Sequence, residues 1–227
     1  MHDVSPHLLS ARLRSGTRTL HAEAERTGVM RDLLRGRLGL PGYVALLQNL
    51  QALYAALEKA LQSCESDAKV GPVCQPALFR QMAIERDLSA YGAPVTDPAV
   101  PLVPGMRAYV SRLETLGRGS SPRLVAHAYV RYLGDLHGGQ VLARVVRDAF
   151  PWRSSAEAGG LDFYHFGSAD VVAGHIGALR QALDALPLSP AETDAVIDEA
   201  CWAFGQHVRV FEELARPADV SPLPHVP

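Results

Sequence analysis

Cysteine, lysine and long apolar runs are scarce in this 227-residue chain, and each scarcity excludes something. The three cysteines, Cys64, Cys74 and Cys201, are odd in number and form no CxxC pair. Neither a disulfide scaffold nor a thiolate metal site is therefore expected, and reduced thiols in a cytoplasmic protein are the default reading. The opening residues, "MHDVSPHLLSARLRSG", lack the unbroken apolar stretch of a signal peptide. The longest helical pattern carries Gln48, Asn49, Gln51, Glu58 and Lys59, so it would not cross a bilayer. Lysine occurs only as Lys59 and Lys69, and 22 basic residues against 24 acidic ones leave a formal charge of −2. A general nucleic-acid binder would carry a basic excess instead.

Catalytic signatures are missing as well. No HExxH, P-loop, GxSxG or Cys/His zinc pattern occurs. A di-iron carboxylate bundle needs Glu-x-x-His on two helices. The chain has no such motif, and its "DFYH" (Asp162 to His165) falls in a glycine-bounded loop. Strand-like alternation is absent, which disfavours dinucleotide binding on a parallel sheet.

What remains is helical. Ser5–Pro6, Ser121–Pro122 and Ser189–Pro190 each place an N-cap serine before a proline suited to a first turn. Pro41 suits another. Apolar spacing predicts helices over about 6–27, 41–63, 77–91, 104–116, 122–149, 168–186 and 190–215. Proline and glycine punctuate them, including Pro151, Pro187 and Pro217. The expected fold is an all-α, single-domain bundle of about seven helices spanning residues 1–216, with a Pro-rich tail over 217–227.

Two constellations could carry chemistry. In "TLHAEAERT", His21 and Glu25 stand four apart, one turn apart on a common helical face. A metal-ligating histidine usually has its second ring nitrogen fixed by such a partner. A solvated surface pair is equally compatible with the spacing, and more common. In "YVRYLGDLHGGQVLARV", glycines crowd an otherwise amphipathic helix, each costing about 0.8–1 kcal/mol relative to alanine. Arg131, Asp135, Gly138, Gly139 and Leu142 share one face, a strip with a gap that could admit a flat cofactor. Close helix–helix packing, or a kink at the glycine pair, would also account for it.

Together these two segments resemble the haem oxygenase family. "TLHAEAE" is similar to its first-helix motif and "AHAYVRYLGDLHGGQVL" to its distal-helix signature. The likeness extends through "YVALLQNLQALYAALEKAL" and "WAFGQHVRVFEELA", in the same order over most of residues 8–215.

The resemblance implies haem held between the first helix and a kinked distal helix, as both cofactor and substrate. Its products would be biliverdin, carbon monoxide and ferrous iron, made with dioxygen and an external electron donor. Carried over by position, His21 is the proximal ligand and Glu25 its partner. Gly134, Gly138 and Gly139 bare the distal backbone. Asp135 orders distal water, with Arg131 and Tyr54 in its hydrogen-bond network. Arg14 and Arg18 match basic positions near the haem propionates, Tyr129 a tyrosine on that side, and Arg180 a further propionate-binding base. His207 matches a polar position on the last helix, near the distal water.

One residue departs from the family pattern. His137 stands where many relatives carry serine, and two residues is about 200° of helix, which should turn it away from Asp135. It is expected to pack or hydrogen-bond behind the distal helix. A ring that swings in to cap the iron is the sharper alternative.

A reductase or ferredoxin-type protein is the implied partner, with hand-off of bilin to a phytochrome-type photoreceptor as one possible use. The chain ends without a hydrophobic segment, which is the pattern of soluble bacterial members. The competing function is a non-catalytic haem-binding or haem-storage protein on the same scaffold.

Overall fold

The structure, a computed structural model, describes residues 7–93, 102–150 and 159–216. The Ser5–Pro6 cap, Pro151, Pro217 and the 217–227 tail lie outside the described residues. Those residues contain helices and irregular segments and no strand, as the sequence pattern requires.

The first helix, α1, is Leu9–Glu25, and the short α2, Gly28–Leu34, follows almost at once. That second helix was not anticipated, because seven residues are too few to show a period. Gly28 makes it possible: its φ is +49°, and a Cβ there would lie 1.9 Å from the Phe211 carbonyl oxygen. Only glycine lets the chain turn this tightly against the last helix. Helix α3, Leu40–Ser63, opens with Pro41 in its first turn and buries Leu46, Leu50, Leu53, Leu57 and Leu61.

Helix α4, Gln81–Ala90, starts later than expected. Pro76–Leu78 forms a separate 3-10 turn, and the Glu58 carboxylate accepts the backbone N–H groups of Arg80 and Gln81. This cap comes from another helix, so nothing local marks it. Helix α5 is Pro104–Arg118. Ser121 sits in a turn and accepts from Arg123 N at 3.4 Å, so α6, Leu124–Ala128, begins two residues beyond the expected start at Pro122.

From α6 the chain passes through a π-helical turn, Tyr129–Leu133, into α7, Gly134–Ala149. The irregularity of this long helix therefore lies in that turn, and α7 runs unbroken through Gly138 and Gly139. An extra residue in a helical turn re-aims the side chains within it and just beyond it, here Arg131 in the turn and Asp135 at the start of α7. Helix α8 is Ala169–Asp184, capped by Ser168. Helix α9, Pro190–Ala215, begins with the anticipated Ser189–Pro190 signal and a full Ser189–Glu192 capping box.

Helix α9 is the spine of the bundle, packing against α1, α2, α5 and α6, while α3 packs against α4 and α5. Their shared core includes the fully buried Leu13, Leu53, Leu57 and Tyr109. No described helix is long and apolar enough to cross a membrane.

Candidate active site

A cavity of about 380 Å³ is enclosed by α1, α2, α3, α7, α9 and the turn Asp162–Tyr164. That size suits a small organic ligand. Its walls are mainly apolar, with Leu33, Leu46, Leu50, Phe204 and Phe211 among them. The turn is fixed from behind: the buried Asp87 carboxylate accepts from Asp162 N at 2.8 Å and Phe163 N at 2.9 Å. Those bonds press Phe163 and Tyr164 against the cavity.

On the α1 wall, His21 faces the cavity with its side chain half exposed. Its ring meets Phe204 edge-on at 5.5 Å. Glu25 lies beside it, with Oε1 at 3.8 Å from Nδ1. The pair is adjacent but not hydrogen-bonded, so the expected partnership is one of proximity here. Both side chains remain free to adjust to a ligand.

The α7 wall is built differently. Arg131 donates from Nη2 to Asp135 Oδ1 at 2.9 Å, and from Nε and Nη2 to the Tyr54 hydroxyl at 3.0 and 2.8 Å. Tyr54 in turn donates to Asp135 Oδ2. The i,i+4 spacing supplies the ion pair, and fully buried Tyr54 closes it from α3. Burial pushes the Asp135 carboxyl up from the ordinary range, with Arg131 and Tyr54 partly opposing the rise. Burial pulls the Arg131 guanidinium down, but Asp135 and Tyr54 more than offset it and hold the charge firmly in place.

The glycines divide by role. Gly134 and Gly138 line the cavity, and a Cβ at either would meet nothing within 4 Å. Gly139 is buried and turned toward Tyr164, whose carbonyl oxygen would lie 3.6 Å from an added Cβ. It belongs to helix–turn packing rather than to the strip with Gly138. Leu142 does join Arg131 and Asp135 on the cavity side.

His137 also corrects its expectation, for it lies on the cavity wall rather than behind the helix. Its Nδ1 is 2.6 Å from the Leu133 carbonyl oxygen and its Nε2 is 3.2 Å from Arg180 Nη2. With both ring nitrogens engaged, it is not poised as a ligand. Arg180, on α8, is exposed, as are Arg14 and Arg18 on α1. Burial raises the Tyr129 phenol, whereas its hydrogen-bond partner Thr17 and the charges of Arg14 and Arg180 lower it. Tyr129, Arg14 and Arg180 are thus brought within electrostatic reach of one another.

His207, on α9, faces the cavity with only 2% of its surface exposed. Neither ring nitrogen has a protein partner. Burial, reinforced by Arg131 and His127, drives its imidazole well below the ordinary range, so it is neutral. An unpaired buried polar group is costly, and this one points to a ligand or water in the cavity.

A family model described as "Heme oxygenase" matches residues 7–213. The chain belongs to the haem oxygenase family. It is 36% identical to human heme oxygenase 1 over 213 residues, covering 93% of this chain and 73% of that protein. A heme oxygenase-1 structure from the cyanobacterium Synechocystis, solved in complex with heme, superposes with a TM-score of 0.83 at 32% identity and 91% coverage of both chains. The heme oxygenase of Leptospira interrogans gives 0.82 at 31% identity, over 90% of this chain and 98% of that one.

Within this haem oxygenase the sequence reading missed Phe163, Tyr164 and the Glu58–Arg80–Tyr132 group behind Asp135. Phe163 and Tyr164 sat inside "DFYH", visible only as a failed metal motif. The Tyr132 hydroxyl is buried without a partner, and burial raises Glu58 to about 7. Both belong to core helices, where no local spacing distinguishes them from ordinary packing.

Proposed function

We propose that this haem oxygenase carries out its reaction in the cavity between α1 and α7, with haem as substrate and cofactor. Bound haem supplies both the iron that activates dioxygen and the ring that is opened, giving biliverdin, carbon monoxide and ferrous iron. The observation that carries the reading is a single cavity with an accessible imidazole on one wall and a paired, buried acid on another.

The residues present fit such a group. His21 offers a ring nitrogen to iron, and Glu25 is near enough to orient the ring once it is held. Gly134 and Gly138 leave open space beside bare backbone, which a flat macrocycle needs. The apolar walls match its faces, and Arg14, Arg18 and Arg180 with Tyr129 supply the basic rim for its carboxylates.

Asp135 acts as the proton-handling group. Its carboxylate is aimed by Arg131 and Tyr54, so it can hold a water at a fixed place without itself sitting on the reacting atoms. Neutral His207, with two unspent ring nitrogens, anchors a second hydrogen bond in the same space. Gly139 contributes by letting α7 lie against Tyr164.

Electrons come from a reductase or ferredoxin-type donor. The free thiols Cys64, Cys74 and Cys201 agree with a cytoplasmic setting. Release of bilin to a phytochrome-type acceptor is one use of the product; iron release is the other.

The test is an anaerobic titration with hemin, followed by oxygen and ascorbate, with the pigment identified by chromatography. A Soret band that gives way to biliverdin is expected. A stable Soret band with no pigment would replace this reading with haem storage, and no Soret band would overturn both.

A further inference from the structure

His137 is tied at both ring nitrogens, and the two partners fix its protonation. A carbonyl oxygen can only accept, so Nδ1 carries the hydrogen that meets Leu133 O at 2.6 Å. A guanidinium can only donate, so Nε2 is the bare nitrogen that accepts from Arg180 Nη2 at 3.2 Å. The result is a neutral imidazole that bridges α7 and α8 at the edge of the cavity.

We infer that His137 is a positioning residue that presents the Arg180 guanidinium to a carboxylate of the substrate at the cavity mouth. This rests on the reading above that Arg180 belongs to the basic rim.

The choice of partner carries the argument. Arg12, Arg86, Arg112 and Arg209 are each bound to a carboxylate, which cancels their charge. Arg180 is bound to a neutral ring. Its full positive charge and four of its five N–H donors stay available for a ligand. An exposed arginine left alone would lose rotamer entropy on being fixed by a ligand. Holding it beforehand reduces that loss, which is the general benefit of preorganisation. The imidazole is itself held by the helix backbone at Leu133, the last residue of the π turn. The guanidinium therefore takes its place from the same segment that aims Arg131 and Asp135. A fixed cation at one edge would select which way round the macrocycle enters, and so which of its bridges faces the acid.

The experiment compares His137→Ser, His137→Gln, Arg180→Ala and the His137→Ser/Arg180→Ala double variant. Three quantities are read: the ring ¹⁵N shifts of His137 in apoprotein, the rate of hemin loss to excess apomyoglobin, and the biliverdin isomer ratio. In wild-type apoprotein, Nδ1 should read as protonated and Nε2 as a bare acceptor whose shift moves in Arg180→Ala. His137→Ser should speed hemin loss about three- to tenfold, the weight of one ordinary hydrogen bond, and raise the minor isomer. His137→Gln, whose amide oxygen can still accept from Arg180, should restore both. In the Arg180→Ala background, His137→Ser should add nothing further.

Equal effects of His137→Ser in both backgrounds would overturn the inference, as would an effect of Arg180→Ala with none from His137→Ser. In that second case the rim role of Arg180 would stand. If Arg180→Ala itself changed neither hemin loss nor isomer ratio, the rim reading would fall and this inference with it.

Discussion

The two polar walls of the cavity are built to opposite standards. On α1, His21 and Glu25 are 50% and 56% exposed and 3.8 Å apart. On the wall formed by α7 and the π turn before it, Arg131 and Asp135 are 13% and 10% exposed, 2.9 Å apart, and locked by Tyr54. One wall is completed by what binds; the other is complete before anything binds. A ligating nitrogen must keep its lone pair unspent, whereas an acid that holds water must not move when the ligand arrives. Stability and function should therefore separate on α1 and coincide on α7.

The largest effect is expected at His21. His21→Ala should abolish the wild-type Soret spectrum and biliverdin formation, while urea unfolding of the apoprotein shifts by no more than about 0.5 kcal/mol. A loss of several kcal/mol on unfolding would show that the α1 wall is as structural as the other.

Asp135→Ala tests the opposite case. It strands the buried Arg131 guanidinium, and breaking such a pair costs about 3–5 kcal/mol. Turnover should vanish although hemin still binds through His21. Unfolding curves set beside the Soret titration would show both; an unchanged stability would mean that Arg131 finds another partner.

Behind the α7 wall, buried carboxylates sharpen the comparison through pH. Glu58 is raised to about 7 by burial, which its backbone N–H partners only partly offset. Its protonated form suits the fold, so its contribution is full below pH 4.5 and fades as pH rises through 7. A rise from 4.5 to about 7 corresponds to about 3 kcal/mol. Glu58→Gln keeps an acceptor for α4 and removes the ionisation, so the variant should gain on wild type across that window. Glu199 slopes the other way. Arg112 and His127 overcome its burial and hold it at about 2, so its contribution is lost as pH falls from 4.5 toward 2. Unfolding free energies measured at pH 4.5 and 8 decide the first; measurements below pH 4 decide the second.

How much of this was legible depended on how local each signal was. The Ser189–Pro190 cap, the leucine period of α3 and the i,i+4 pairs were written in short spacing, and the structure contains them. The cap of α4 was not, because Glu58 stands 22 residues before the N–H it accepts. Nor was α2, which depends on Gly28 meeting the carbonyl of Phe211. His137 was misplaced for a related reason. Asp135 and His137 both lie in the regular α7, so the turn of about 200° between them stands; what the count left out was the breadth of the cavity edge and Arg180 on the next helix, which holds the ring there. The family likeness supplied the cavity's purpose, which no spacing could.

The smallest effect divides the glycine pair. At Gly138 an added methyl meets nothing within 4 Å, so Gly138→Ala should stabilise the empty protein by up to about 1 kcal/mol through helix propensity alone. The same methyl would stand in the space a macrocycle fills, and overpacking typically costs about 1–3 kcal/mol, so hemin affinity should fall as stability rises. Gly139→Ala places its methyl 3.6 Å from the Tyr164 oxygen, an ordinary contact on the far side. Its hemin affinity should stay near wild type. Thermal unfolding of the apoproteins with hemin titration of both variants tests this directly. Equal losses of affinity would put both glycines on the ligand; a trade-off at Gly138 alone would show that one of the pair gives up helix stability for binding while the other serves only packing.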